Sequence, residues 1–142
     1  MRRFRDTATI EIPLPASRAL PLFTARGERA WVPGWKPRFP AGEPDDEDEG
    51  TVWVTEAHGR TTYWVVATRD ARGVAYARVT PELFAGIVEV RQRRADARST
   101  QLEITYDLTA LTDAGAAELD SFAAGYHEEI RGWRAAIEAT IA

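Results

Sequence analysis

The chain has 142 residues, a formal net charge of −4, 44% hydrophobic and 28% charged residues, and no cysteine. That balance is expected of a folded chain long enough to bury a core as one domain without crosslinks. It excludes a disulfide framework, a thiolate nucleophile and a cysteine-ligated metal, and an acidic chain offers nucleic acid or an anionic membrane no electrostatic attraction.

Phe4, Asp6, Ala8, Ile10 and Ile12 alternate with Arg5, Thr7, Thr9 and Glu11, the period of a half-buried strand. Pro13 and Pro15 end it. Ser17 is placed to cap a short helix carrying Leu20, Leu22 and Phe23. Pro21, which lacks a backbone donor, argues for two short helical pieces, the second from about Gly27 to Trp31. Pro33-Gly34 then turns the chain. Residues 37–50 are Pro-rich and end in five consecutive acids, Asp45, Asp46, Glu47, Asp48 and Glu49. Mutual repulsion predicts a mobile, solvated loop there, not a cation site.

Five β-type runs follow: Thr51 to Ala57, Thr61 to Arg69, Val74 to Thr80, Phe84 to Arg93 and Thr100 to Leu111. The breaks between them are too short for crossovers, so the runs form an antiparallel meander. Arg91, Arg93, Arg94 and Arg98 fall at one such break and read as solvated strand ends. The last run places Leu102, Ile104, Tyr106 and Leu108 on one face and Gln101, Glu103, Thr105 and Asp107 on the other. One face is therefore covered and one wet. The cover follows directly: Thr112 is a suitable N-cap and Asp113 a favourable first-turn acid for a helix reaching Ile141. Leu119, Phe122, Tyr126, Ile130, Trp133, Ile137 and Ile141 make a continuous helical stripe, with Gly125 and Gly132 on the opposite face.

The result is an α+β protein: one strand, two short helices, a curved antiparallel sheet of about six or seven strands, and a long C-terminal helix laid on it. A curled sheet around a single helix leaves a cavity, the usual place for a small molecule. No run reaches the roughly 18 apolar residues of a membrane span, and the N-terminal residues lack the apolar stretch of a secretory signal. A cytoplasmic protein with no membrane insertion is expected.

This order of elements, with the strings Leu22-Phe23-Thr24, Glu28-Arg29-Ala30-Trp31-Val32-Pro33-Gly34-Trp35, Thr62-Tyr63-Trp64-Val65-Val66, Thr105-Tyr106 and Thr109-Ala110-Leu111, resembles the START-like (SRPBCC) superfamily and its polyketide cyclase/dehydrase branch. The resemblance spans nearly the whole chain. It implies a helix-grip fold with a cavity for a lipid, sterol, polyketide or similar molecule, and it implies no particular reaction, since members include both carriers and enzymes.

Trp31 and Trp35 flank the Pro33-Gly34 turn, where the resemblance puts the mouth of the cavity. Trp64 shares a strand face with Thr62 and Val66. Each of these indoles has two readings, pocket lining and core packing. In the run from Val74 to Thr80, Tyr76, Arg78 and Thr80 oppose Ala75, Ala77 and Val79. If the larger side chains point inward, Arg78 is an anchor for a carboxylate or polar head; if outward, it is a solvated arginine. Phe84, Tyr106 and Tyr126 complete the candidate ligand-binding set. His58 and His127 lack metal-ligand spacing, no metal or cofactor is implied, and His127 falls at the stripe's margin, a surface position.

Three functions fit these features. The first is binding of a small apolar or amphipathic molecule by a monomer or homodimer. The second is an aromatase/cyclase or dehydratase using acid and base groups drawn from Tyr76, Arg78, Tyr106 and His127. The third is an interaction module, which needs a broad exposed apolar patch that the polar outer strand faces do not suggest. No nucleophile elbow, phosphate loop or dinucleotide fingerprint is present.

Overall fold

The computed structural model describes residues 2–141. Strand β1 (Arg3–Ile12) is followed by helix α1 (Ala16–Ala19) and two 3-10 helices (Leu20–Phe23 and Gly27–Ala30). Then come β2 (Val52–Ala57), β3 (Arg60–Asp70), β4 (Gly73–Thr80), β5 (Phe84–Ala95), β6 (Thr100–Ala110) and helix α2 (Asp113–Ile141). The six strands form one antiparallel sheet in the order β1-β6-β5-β4-β3-β2. Bulges in β3 near Val66/Thr68 and in β5 near Gln92/Arg94 add the local twist that curls such a sheet. Among the described residues no helix is long and apolar enough to cross a membrane.

The alternation of β1 and β6 sets the main core. Phe4, Ala8, Ile10 and Ile12 face inward beside Leu102, Ile104, Tyr106 and Leu108, and Leu119, Tyr126, Ile130 and Ile137 of α2 close over them. Phe122 and Trp133 of the helical stripe are half-buried, and Ile141 at its end is exposed. A second cluster, Ala25, Trp53, Val66 and Tyr76 with Trp35, Phe39 and Trp64 around it, fills the inner side of β2–β4. The helix thus grips β1 and β6, while the far half of the sheet curls under the short helices.

The turn into α2 forms as the sequence predicts. Thr112 accepts the Gly115 N–H at 3.1 Å and donates its own hydroxyl to the Glu82 carbonyl. Gly115 is required by close approach, because a Cβ there would lie 1.7 Å from the Leu83 carbonyl oxygen. Thr112→Ala is expected to cost about 1 kcal/mol of stability, the usual loss for an N-cap, measurable as a lower denaturation midpoint.

Three expectations are corrected. Ser17 does not cap α1: it lies inside the helix, whose N-cap position is Pro15, with no side-chain bond. The acidic run is docked through one member: Glu47 turns inward, while Asp45, Asp46, Asp48 and Glu49 are exposed. Glu47 is only 3% exposed and accepts the N–H groups of Ala25 (2.8 Å) and Arg26 (3.0 Å) and the Arg26 Nε at 3.3 Å. Arg69 pairs with Asp46 at 2.7 Å and donates to the Glu47 carbonyl, and its own backbone N–H goes to Glu49. Arg26 and Arg69, from distant elements, offset part of the run's self-repulsion. The outer sheet face, finally, is apolar over β2–β5. Val52, Val65, Ala77 and Ile87 lie in one cross-strand row and Tyr63 pairs with Val79 in the next, with Tyr63 49% exposed.

Candidate functional site

The register of β4 decides the facing left open by its sequence. Trp64 of β3 pairs with Arg78 of β4, which pairs with Gly86 of β5. Trp64 packs on the inner cores, so Tyr76, Arg78 and Thr80 point inward with it.

Arg78 lies between two aromatic faces, its guanidinium carbon 4.6 Å from the Trp64 ring centre and 5.3 Å from that of Phe84. Each face offers the cation a quadrupole attraction of about 1–2 kcal/mol when desolvated. Hydrogen bonding is poor by comparison. One terminal nitrogen reaches Thr80 Oγ1 at 3.4 Å, and the buried Nε has no partner. Burial lowers the guanidinium pKa, and the only opposing charge effect comes from Tyr106. A desolvated cation without a carboxylate is costly, by several kcal/mol in general.

The neighbours of Arg78 are fixed from behind. Thr80 shares a hydroxyl bond of 2.8 Å with Thr62, and Trp64 donates to Thr55 Oγ1 at 2.9 Å. Trp64 stacks on Trp53, the rings 6° from parallel, and meets the edge of Trp35. Trp53 is buried with an unpartnered indole N–H. On the other side Tyr106 packs against Phe122, Tyr126 and Trp133. Burial raises the Tyr106 pKa, Arg78 opposes that rise, and the charges of Glu28 and Glu129 add to it.

Glu28, in the second 3-10 helix, is a member of this set that periodicity does not single out. Desolvation, and then the Glu47 charge, push its carboxyl up to about 8. With its pKa raised to about 8, the carboxyl is mostly protonated at pH 7. Because its pKa is higher in the folded state than its ordinary 4.5, stability is greatest below pH 4.5 and falls as the pH rises toward about 8. Glu28→Gln is expected to remove that slope, so that its advantage over wild type grows across this window in denaturation series. A pH-independent difference would contradict the assignment.

The structure brings Trp64, Arg78, Phe84 and Tyr106 into one neighbourhood. Tyr76 and Tyr126 are committed to backbone carbonyls, of Phe23 and Ile104 respectively, and burial raises both their pKa values. Trp31 and Trp35 diverge. Trp31 is 6% exposed, donates to the Leu22 carbonyl and meets Phe23 and Trp133, whereas Trp35 donates to the Ala25 carbonyl on the Trp64 side. His127 is exposed, 2.9 Å from Asp6. Among the described residues no three His, Cys, Asp or Glu side chains are grouped to hold a metal ion.

No protein-family model matches the sequence. No curated protein is detectably similar to it. Solved structures share its fold. Protein Ms6760 from Mycobacterium smegmatis is 15% identical with a TM-score of 0.66, covering 97% of this chain and 90% of its own. The Zhui aromatase/cyclase of a Streptomyces species is 17% identical with a TM-score of 0.64, covering 98% and 94%. A START superfamily protein from Mycobacterium smegmatis is 14% identical with a TM-score of 0.63, covering 95% and 97%. At these identities the likeness carries the fold alone.

Proposed function

On this START-like fold, we propose that the chain binds a small aromatic or apolar molecule bearing an oxygen acceptor, held between the inner sheet face and α2 with Arg78 as its polar anchor. The observation that carries the reading is the interior guanidinium with an unpartnered Nε between Trp64 and Phe84. A ligand carbonyl, phenol or carboxylate oxygen supplies the acceptor that the protein omits, and the flanking rings select a flat skeleton. Trp64 and Phe84 flank the anchor, Tyr106 packs on the helix side, and the hydroxyl-bonded Thr62 and Thr80 position the anchor. The test is extraction of the purified protein under non-denaturing conditions with mass analysis, followed by titration with naphthol and unsubstituted naphthalene. Tighter binding of naphthol supports the anchor; equal binding of the two rejects it.

An enzymatic reading has one observation in its favour: Glu28, its carboxyl pushed up to about 8, and Arg78 both act electrostatically on Tyr106. A protonated carboxyl and a fixed cation supply an acid and an oxyanion partner for aldol-type cyclisation and dehydration, in which the α-proton passes to water. Incubation with a short poly-β-ketone and analysis for ring-closed products tests it. Product formation equal to that in buffer alone rejects it.

A further inference from the structure

The outer face of the sheet is wet on one half and apolar on the other. Over β1 and β6 it carries Thr7, Glu103 and Thr105, the polar composition of an uncovered antiparallel face. Over β2 to β5 it carries the row Val52, Val65, Ala77 and Ile87 and, beside it, the pair Tyr63 and Val79. Among the described residues six large apolar side chains are exposed, and four of them, Val52, Tyr63, Val79 and Ile87, lie here at 38–49%. The register shifts of β3 and β5 fall beyond Val66 and Gln92, so these rows cross a regular ladder. The block amounts to roughly 400 Å² of contiguous apolar surface, about half of the ~800 Å² that each partner gives to a standard interface. A polar rim supplies the other half in such interfaces.

The rim here is complementary to itself. Arg38 bridges to Val54, the partner of Tyr63, and so extends the Tyr63 and Val79 row past the β2 edge. It is exposed and has no ion-pair partner among the described residues. Glu89 lies diagonally across the block, on β5 two residues beyond Ile87. It is loosely held, since Arg91 is 3.9 Å from it but 3.1 Å from Asp70. At ordinary strand spacings of about 4.8 Å and rises of about 3.4 Å per residue, the line through Val65 and Val79 bisects the line from Arg38 to Glu89 at right angles. A two-fold axis along it turns the Arg38 of each copy onto the Glu89 of the other, and an isologous contact forms both pairs at once.

We propose that this face is the interface of a symmetric homodimer, two copies packed outer sheet on outer sheet about an axis through Val65 and Val79, with Arg38 and Glu89 paired across the rim. The second copy buries Tyr63 and Ile87 as the second layer of a sandwich would. The inner face of the sheet, with Arg78, takes no part in the contact.

Sedimentation velocity over a concentration series tests the interface and its axis. Wild type is expected to dimerise with a dissociation constant on the order of 10 µM, the weak end for a contact of this size. Tyr63→Lys and Val79→Lys, at exposed positions, are expected to keep the wild-type denaturation midpoint and to stay monomeric. Arg38→Glu and Glu89→Arg are each expected to weaken association about tenfold, and an equimolar mixture of the two to associate as wild type does, because each then meets its opposite. The chain has no cysteine, so Val79→Cys puts a single thiol on the axis. A short bismaleimide is expected to link it to its own copy, and not to link Thr9→Cys on the polar half. Wild type that stays monomeric at about fifty times the expected constant overturns the proposal and leaves the face to another occupant. A dimer that Val79→Lys does not weaken uses a different face, and failure of the mixture to restore association overturns the axis.

Discussion

Arg78→Met is expected to give a protein that is more stable than wild type and retains its ligand about a hundredfold less well. The two effects have one cause. The guanidinium is half-buried, with a buried and unpartnered Nε, and its main compensation is the pair of aromatic faces. Replacing it with an apolar side chain of similar length removes a half-buried charge at the loss of those contacts, a net gain of about 1 kcal/mol. The ligand oxygen loses two charge-assisted hydrogen bonds, about 3 kcal/mol together, which corresponds to about a hundredfold in affinity. Arg78→Lys is expected to fall between, since it keeps the charge and loses the planar fork. Chemical denaturation and titration with naphthol measure both quantities. A methionine variant that is less stable and binds naphthol as tightly as wild type would show that the charge serves the fold and not a ligand.

Glu47→Ala is expected to cost about 2–4 kcal/mol, the largest stability loss of any substitution in the acidic run. Removing the carboxylate strands two backbone donors, those of Ala25 and Arg26, and leaves the Arg26 guanidinium with only the Asp45 carbonyl and water. Ala25 itself is fully buried, so water cannot replace the lost acceptor there. Asp46→Asn is the matched control. Its pair with Arg69 is exposed on both sides, and its loss is expected to cost less than about 1 kcal/mol. Urea midpoints for the two variants decide the matter; equal losses would mean that Glu47 is no more than another member of a charged surface.

How much was legible in the sequence differs between elements for identifiable reasons. Helix α2 and strand β6 each bury one face and wet the other, so their residues repeat with the period of the element, and Thr112 marks the boundary with its own side chain. Strand β4 gives no such signal. Tyr76 and Arg78 point inward while Val79, on the other face, is exposed, so hydrophobicity does not distinguish its sides. The same mixture over β2, β3 and β5 conceals the apolar outer patch. Glu47 looks like its four acidic neighbours because its partners lie about twenty residues earlier in the chain. Glu28 sits in a 3-10 helix of four residues, too short to show a period. Trp31 and Trp35 are near in sequence yet serve different clusters, a separation made by the turn between them.

The sheet order has a consequence for synthesis. Strand β1 pairs along its whole length with β6, from Arg3 opposite Thr109 to Ile12 opposite Thr100. On the ribosome the first strand must therefore wait for the emergence of a partner about 90–100 residues later, roughly 5–20 s at ordinary elongation rates. Its neighbour is absent throughout that delay, while β2 to β5 can already pair hairpin by hairpin. The exposed Arg2, Arg3 and Arg5 suit this interval, since cationic side chains at the start of an unpaired apolar strand discourage it from joining the nascent strand of another molecule.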